Sequence, residues 1–379
     1  MQYEELPVTP ALITWARSRA GIPIADASKT FKHIQSWEDG ESSPTYPQLE
    51  QLANIFKVPT AVFFFPAPPT VPNISETFRT LPETEFEQIP SRIRLLLRKA
   101  KAFQINLMEL TGGNNTSKRV ITRDIAFDTN TNLREMAEQV RAYLGISIED
   151  QRSWADEEVA LKNWRGALFG AGIYVFKDAF KVAEFSGFCL YDEVFPIIYV
   201  NNSSAKTRQI FTLFHELAHL LFRTSGIDTI HDEYVHHIAG EAQRVEILCN
   251  RFAAEFLLPE EIFVEAMQGM PRTEKSAERL AAIFHVSREF IFRRFLDRDW
   301  ISQRAYSEAA AKWADQRRGS GSGGDYYWTK LAYLGHDYVA LALSQYRQNR
   351  IDERQLADYL ETKPKNLSGI EDYFARGSV

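Results

Sequence analysis

The sequence has little of three things: cysteine, excess positive charge and long apolar runs. Only Cys189 and Cys249 occur among 379 residues, both in apolar surroundings, which favours reduced thiols in a cytosolic protein over a disulfide framework. The formal net charge of −6 provides no bulk positive field that would draw the whole molecule to nucleic acid or an anionic membrane. No charged-then-apolar leader opens the sequence, and its apolar runs fall far short of the ~20 residues that a membrane span needs. We therefore expect a soluble, cytoplasmic protein.

The chain has enough apolar residues, 45% of the total, to bury a sizeable core, and its length favours two or three domains. Changes in the period of the apolar residues and runs of Pro or Gly suggest where these domains divide. We predict an N-terminal module of short helices at 1–65, a proline-containing linker at 66–90, a large central domain at 91–318, a Gly/Ser linker at 319–324 and a C-terminal helical unit at 325–379.

Three segments in the central domain read as strands. "GIYVFK" (172–177), "VAEFSGFCLYD" (182–192) and "FPIIYVN" (195–201) are rich in β-branched and aromatic residues, with polar turns between them. Patterns with helical spacing precede them and return from about residue 205. We therefore predict a mainly helical α+β fold, with a small antiparallel sheet in the central domain and helical modules at both ends.

The segment "FTLFHELAHLLF" (211–222) places polar groups in an apolar helix. His215 and His219 are four residues apart, so both imidazoles project from one helix face and can hold a metal ion. Glu216 completes the H-E-x-x-H order, in which this carboxylate suits a base acting on water. The simpler alternative is a buried helix with two satisfied histidines. The apolar flanks favour the metal site, because a dry shell strengthens metal and carboxylate electrostatics.

A catalytic zinc ion needs a third protein ligand, which we expect downstream. The candidates are His231, His236, His237, Glu241 and Glu246. Helix geometry favours Glu246, because it opens "EILCNRFAAEFLLP", whose apolar residues would pack that helix against the first. A buried carboxylate also needs a partner, which the metal would supply. Asn250, one turn later, is a candidate hydrogen-bonding support, and His236 or His237 remains an alternative ligand.

Three stretches resemble the ImmA/IrrE family of bacterial and phage metallopeptidases. They are "SGFCL", "IIYVNNSSAKTRQIFTLFHELAHLLF" and "EILCNRFAAEFLLP", and the match spans about Gly172 to Pro259. The resemblance implies that His215, His219 and Glu246 bind Zn²⁺ and that Glu216 is the general base. It also implies a zinc-dependent endopeptidase in domain 91–318, cleaving a repressor, antitoxin or similar regulatory protein in a stress, prophage or defence context.

The N-terminal module resembles the Xre-type helix-turn-helix that precedes the peptidase in longer family members. "WARSRAG", "WEDGESSPTYPQLEQLA" and "VPTAVFFFPAPP" carry this resemblance. The turn and recognition helix are shortened, which leaves few polar side chains to read base edges: Lys29, Thr30, Lys32, His33 and Gln35. We therefore doubt that this degenerate module binds DNA, and a docking or sensing module is the alternative. The C-terminal unit resembles the end of the longer relatives.

Substrate contacts are predicted on the strand that holds "EFSGFCL". An antiparallel edge beside a metal site can pair with an extended peptide, which makes Ser186, Gly187 and Phe188 candidate substrate-binding residues. Candidate donors to the oxyanion that forms during hydrolysis are Tyr234, His236 and His237. Two other functions remain open: a non-proteolytic regulator with a structural zinc site, and a DNA-binding transcription factor.

Overall fold

The computed structural model describes residues 5–69, 89–229, 240–316 and 324–377. The chain divides into two compact units, Met1–Lys99 and Ala100–Val379. Most of the predicted linkers at 66–90 and 319–324 lie outside the described residues, as do His231, Tyr234, His236 and His237. No helix in the described ranges has both the length and the apolar character to cross a membrane.

Helices make up most of the described chain, which confirms the mainly helical α+β class. The α-helices are α1 (Pro10–Ala20), α2 (Ile24–Thr30), α3 (Ile34–Glu38), α4 (Tyr46–Phe56), α5 (Ser91–Thr111), α6 (Ile121–Asp124), α7 (Leu133–Leu144), α8 (Ile148–Ser153), α9 (Glu157–Gly170), α10 (Lys206–Leu221), α11 (Glu241–Leu257), α12 (Glu260–Ala266), α13 (Glu274–Phe284), α14 (Arg288–Leu296), α15 (Gln303–Gln316), α16 (Tyr326–Leu334), α17 (His336–Arg347), α18 (Glu353–Tyr359) and α19 (Leu367–Ala375). Short 3-10 helices occupy Thr60–Phe64 and Pro364–Asn366. The strands are β1 (Tyr174–Asp178), β2 (Phe185–Leu190), β3 (Ile197–Asn201) and β4 (Ile227–Thr229).

The first unit packs α1 to α4 around a small apolar core. Helix α4 begins with a capping box, in which the side chain of Thr45 and that of Gln48 satisfy each other's backbone N–H groups. Arg17 on α1 donates to both carboxylate oxygens of Glu38 at the end of α3, at 2.6 and 2.9 Å. Helix α3, in the segment that the sequence analysis reads as a shortened recognition helix, has only five residues. Its assignment as a helix-turn-helix stays a prediction.

The strands form one four-stranded sheet in the order β1-β3-β2-β4. β2 is antiparallel to β3 and β4, whereas β1 is parallel to β3, with Tyr174 opposite Ile197. The prediction of a wholly antiparallel sheet is therefore wrong for β1. It assumed that strands adjacent in sequence are adjacent in space. In the structure β3 lies between β1 and β2 in the sheet. The chain reverses direction at β2 and again at β3, so β1 and β3 run in the same direction and pair as parallel strands.

Helices cover both faces of this sheet. On one face, β1, β2 and β3 contribute to the main core with α9, α10 and α11, in which Trp164 packs edge-on against Phe214 at 4.8 Å between ring centroids. On the other face, Phe103 of α5 stacks on Phe176 of β1 at 4.1 Å, and Tyr338 of α17 meets both rings edge-on. The C-terminal helices therefore complete the covering of the sheet within the second unit.

Candidate metal centre

Three side chains from two neighbouring helices meet at one point. His215 and His219 project from α10, and Glu246 projects from α11, with one potential ligand atom of each within 4.8 Å of the others. The two imidazole Nε2 atoms are 3.2 Å apart. Glu246 Oε1 is 3.2 Å from His215 Nε2, and Oε2 is 3.1 Å from His219 Nε2. The structure thus brings together the three residues that the sequence proposed.

These separations fit the ligand set of one tetrahedral zinc ion. Ligands about 2.0–2.1 Å from a tetrahedral zinc lie roughly 3.3 Å from one another. Each of the three measured separations is within ~0.2 Å of that value, with a different carboxylate oxygen of Glu246 beside each histidine. Neutral imidazole nitrogens and a carboxylate are also the donors that zinc prefers.

The electrostatics of Glu246 also suit a cation site. Burial alone would raise the pKa of this carboxyl, but the positive charges and hydrogen bonds of protonated His215 and His219 outweigh it and hold the pKa far below its usual range, and a bound cation between the same groups would act in the same direction. Glu246 is therefore ionised, as a metal ligand must be. Glu241, the other acidic candidate on α11, is exposed and is not part of the cluster. Asn250 donates to the backbone oxygen of Glu246 at 3.2 Å, so it supports the helix and not the carboxylate.

Thr224 fixes the orientation of one candidate ligand, a role that the sequence did not reveal. Its hydroxyl donates to the backbone oxygen of His219 at 3.0 Å. The Thr224 hydroxyl oxygen is also 3.3 Å from His219 Nδ1, so Nδ1–H can donate to it. The tautomer with the proton on Nδ1 would leave the Nε2 lone pair available to a metal ion at the centre of the cluster. The only available signal was a Thr within one turn of the helix end.

Glycine permits two close approaches around the site. A Cβ at Gly226 would lie 2.6–2.9 Å from atoms of the His219 ring, so only glycine lets the chain pass this close. A Cβ at Gly187 of β2 would lie 2.4 Å from the Thr212 methyl group and 3.8 Å from Glu216 Oε1. Glu216 is itself fully buried and lies outside the three-residue cluster. It is therefore a carboxylate next to the candidate ligands and not one of them.

The predicted substrate strand is an interior strand. β2 pairs with β3 on one side and with β4 on the other, which leaves it no free edge. Ser186, Gly187 and Phe188 are buried, and Ser186 accepts a hydrogen bond from Arg208 Nε at 3.0 Å. The prediction that a peptide pairs directly with these residues does not fit this topology, because the sequence did not reveal the short strand β4 that occupies that edge.

Comparison with known proteins places this site in a recognised domain. Residues 170–296 match the family model described as the IrrE N-terminal-like domain. Radiation response metalloprotease IrrE of Deinococcus radiodurans is 35% identical over 101 residues, which are 26% of this chain and 30% of that protein. The protein of the same name from Deinococcus deserti is 33% identical over 101 residues, 26% of this chain and 34% of that protein.

The chain thus spans about a third of the length of the curated relatives it matches. The matched range contains the sheet, α10, α11 and all three residues of the metal cluster. On these findings, the domain at residues 170–296, which holds the metal cluster, is similar to the IrrE N-terminal-like domain.

Proposed function

We propose that this protein is a zinc-dependent endopeptidase in which His215, His219 and Glu246 hold the metal and Glu216 is the general base. One observation carries the proposal: three zinc-type donor groups, two imidazole nitrogens and a carboxylate with an oxygen beside each of them, converge at 3.1–3.2 Å, and a further buried carboxylate, Glu216, is not among them. The name metalloprotease, carried by both relatives, supports the same reaction class.

The reaction needs an acid–base group, which Glu216 supplies. When bound, zinc supplies Lewis acidity that makes water a better nucleophile and polarises a carbonyl. Glu216 accepts a proton from the attacking water and returns it to the departing amine. The fully buried apolar neighbours Leu213, Leu217 and Leu220 on α10 keep the surroundings dry, which strengthens each electrostatic interaction in the site.

The substrate is proposed to be an extended segment of a regulatory protein, such as a repressor or antitoxin. In the described part of the sheet, β4 is an outer strand that is hydrogen-bonded to β2 alone. It begins directly after Gly226, which lies against the His219 ring. A peptide added to the open side of β4 would form main-chain hydrogen bonds and run past the metal cluster. This edge replaces the interior strand β2 as the proposed site of pairing.

Two glutamate variants with a matched control test the proposal. Glu246→Gln should lose bound zinc, whereas Glu241→Gln, an exposed change on the same helix, should keep it. Glu216→Gln should keep zinc and lose roughly 10²–10⁴-fold in cleavage rate, because it lacks the base. Zinc is measured by elemental analysis of the purified proteins, and cleavage on candidate regulatory proteins encoded beside this one.

Two results would overturn the proposal. If Glu246→Gln retains a full equivalent of zinc, the third ligand lies elsewhere. If Glu216→Gln retains the biological effect of the wild type, hydrolysis is not the function, and a non-proteolytic regulator with a structural zinc site fits better.

A further inference from the structure

One aromatic ring on α10 stays partly exposed beside the metal cluster. The other apolar residues of this helix are buried, whereas Phe211 is only partly buried. Phe211, His215 and His219 follow one another at four-residue intervals, so they lie on one face of the helix. The centroid of the Phe211 ring is 6.5 Å from that of the His215 ring, with 26° between the ring planes. Phe211 therefore extends the face that carries two candidate ligands by one turn.

A second partly exposed ring, that of Phe290 on α14, meets Phe211. The two ring centroids are 6.2 Å apart, and the ring planes are inclined at 63°, an edge-on arrangement. The next residues on α14, Ile291 and Phe292, are buried. Both rings pack against the main core with part of their surface and leave the rest exposed. Two helices far apart in the sequence thus form one small aromatic surface, consisting of Phe211 and Phe290, beside His215.

Arg208 holds the Phe211 ring in place. Its guanidinium carbon lies 5.4 Å from the ring centroid, within the range of a cation–π contact. The Arg208 Nε–H group donates to Ser186 Oγ at 3.0 Å, and Ser186 lies at the shift in register where β2 pairs with β4. The sheet therefore orders Arg208, and Arg208 orders the ring. A ring that is ordered in advance spares a ligand the entropic cost of fixing it.

The position of the aromatic surface limits which part of a peptide can reach it. Gly226, directly before β4, lies against His219, whereas Phe211 lies one turn before His215, at the other end of the cluster. One helical turn is about 5.4 Å long, and an extended peptide advances about 3.3 Å per residue. A peptide that runs from β4 past the cluster would therefore meet the aromatic surface within about two residues of the cluster. Only a residue close to the bond that is cleaved can place its side chain there.

We propose that Phe211 and Phe290 select the substrate by binding a large apolar side chain, such as that of Leu or Phe, next to the scissile bond. This inference rests on the proposed endopeptidase function and specifies a feature of its substrate. Partly exposed rings bind apolar side chains because contact removes both surfaces from water. A small residue at the same position of the peptide would leave the rings wet. Selection of this kind amounts to about 10–100-fold in kcat/KM.

Cleavage of casein by the zinc-loaded full chain tests this selection. Casein is extended and offers many sequences, so mass spectrometry of the products identifies the residues that flank each cleaved bond. Leu, Phe and Met should be enriched at one flanking position. Three peptides based on the best casein site, with Leu, Phe or Ala at that position, then give values of kcat/KM. The wild type should cleave the Leu peptide with a kcat/KM about 10–100-fold above that of the Ala peptide.

Variants assign the preference to the two rings. Phe211→Ala should bring the kcat/KM values of the Leu and Ala peptides within a few-fold of each other and leave the zinc content unchanged. Phe211→Leu and Phe290→Leu enlarge the site, so each should shift the preference from the Leu peptide toward the Phe peptide. A purely structural role of the rings would lower all rates together and leave these ratios unchanged. Phe169→Ala is the matched control and should keep the wild-type ratios, because Phe169 is also partly buried and packs edge-on against one ring, that of Tyr174.

The possible failures are distinguishable. Wild-type cleavage without a preference, or ratios that stay unchanged in both leucine variants, would overturn the role of the aromatic surface and leave the endopeptidase proposal intact. The leucine variants carry this test even if Phe211→Ala does not fold. A wild type that binds zinc but cleaves neither casein nor any protein encoded beside it would refute the endopeptidase proposal, and the role of the aromatic surface with it.

Discussion

Replacing Lys177 by methionine should stabilise the protein, by an amount that depends on pH. Lys177 is on β1 and only 5% exposed. Burial, with Arg165 and Lys206 nearby, lowers its pKa from 10.5 to about 6, and Glu158 opposes this only in part. The folded state therefore holds a neutral amine near pH 7, whereas the unfolded chain holds an ammonium. Methionine has a similar length and no proton to lose.

The magnitude follows from the two pKa values. Each pKa unit corresponds to about 1.4 kcal/mol, so deprotonating a normal lysine at pH 7 costs up to ~5 kcal/mol of the free energy of unfolding. Relaxation around buried charges reduces such figures, and we expect a gain of about 2–4 kcal/mol for Lys177→Met at pH 7. Because the pKa is lowered in the folded state, the unfolded chain binds more protons between about pH 6 and pH 10.5, and wild-type stability rises with pH across that window.

The assay is urea denaturation of the wild type and the variant over that pH window. The difference in free energy between them should shrink as pH rises, by about 1 kcal/mol per unit. Other titrating groups are common to both proteins and cancel in the difference. Lys275→Met, a change at an exposed lysine, is the control and should show no such trend. A difference for Lys177→Met that is constant with pH, or a destabilised variant, would refute the reasoning.

Two glycine substitutions test the close approaches around the metal cluster. Gly226→Ala would put a Cβ 2.6–2.9 Å from the His219 ring, so we expect zinc affinity to fall about 10–100-fold in a chelator competition. Gly166→Ala, with nothing within 4 Å of its Cβ, should not change it, and equal affinities in all three proteins would contradict this geometry. Gly187→Ala would put a Cβ 2.4 Å from the Thr212 methyl group and should cost about 1–3 kcal/mol in denaturant unfolding. Thr212→Ser removes that methyl group and should recover part of the loss; strictly additive effects would argue against the contact.

Local spacing made the metal cluster predictable from sequence. A four-residue separation places His215 and His219 on one helix face whatever surrounds the helix. Glu246 could be chosen because its helix carries an apolar stripe that has to pack somewhere, and a carboxylate on that helix needs a partner. The start of α10 at Lys206 could likewise be placed closely, since helical spacing of the apolar residues returns at about residue 205.

Arrangements that depend on distant parts of the chain could not be predicted in this way. The composition of β1 does not show whether this strand pairs with β2 or with β3, because both pairings would bury the same side chains. β4 has three residues, too few to show a period, and its presence closes the edge that the sequence left open for substrate. The contacts of Thr224 with His219 depend on the path of a short loop, which carries no periodic signal.

The covering of the outer face of the sheet has a consequence for how the protein is synthesised. Asn106 and Tyr338 are hydrogen-bonded across 232 residues of chain, and Phe103, Phe176 and Tyr338 also come from segments far apart in the sequence. During translation, the residues of the metal cluster leave the ribosome before α17, which helps to cover β1. Until these emerge, Phe176 and its neighbours remain open to water or to a chaperone. Loops of this length close slowly, so the nascent chain should complete the sheet that supports its metal cluster late, after the helices that cover β1 are free.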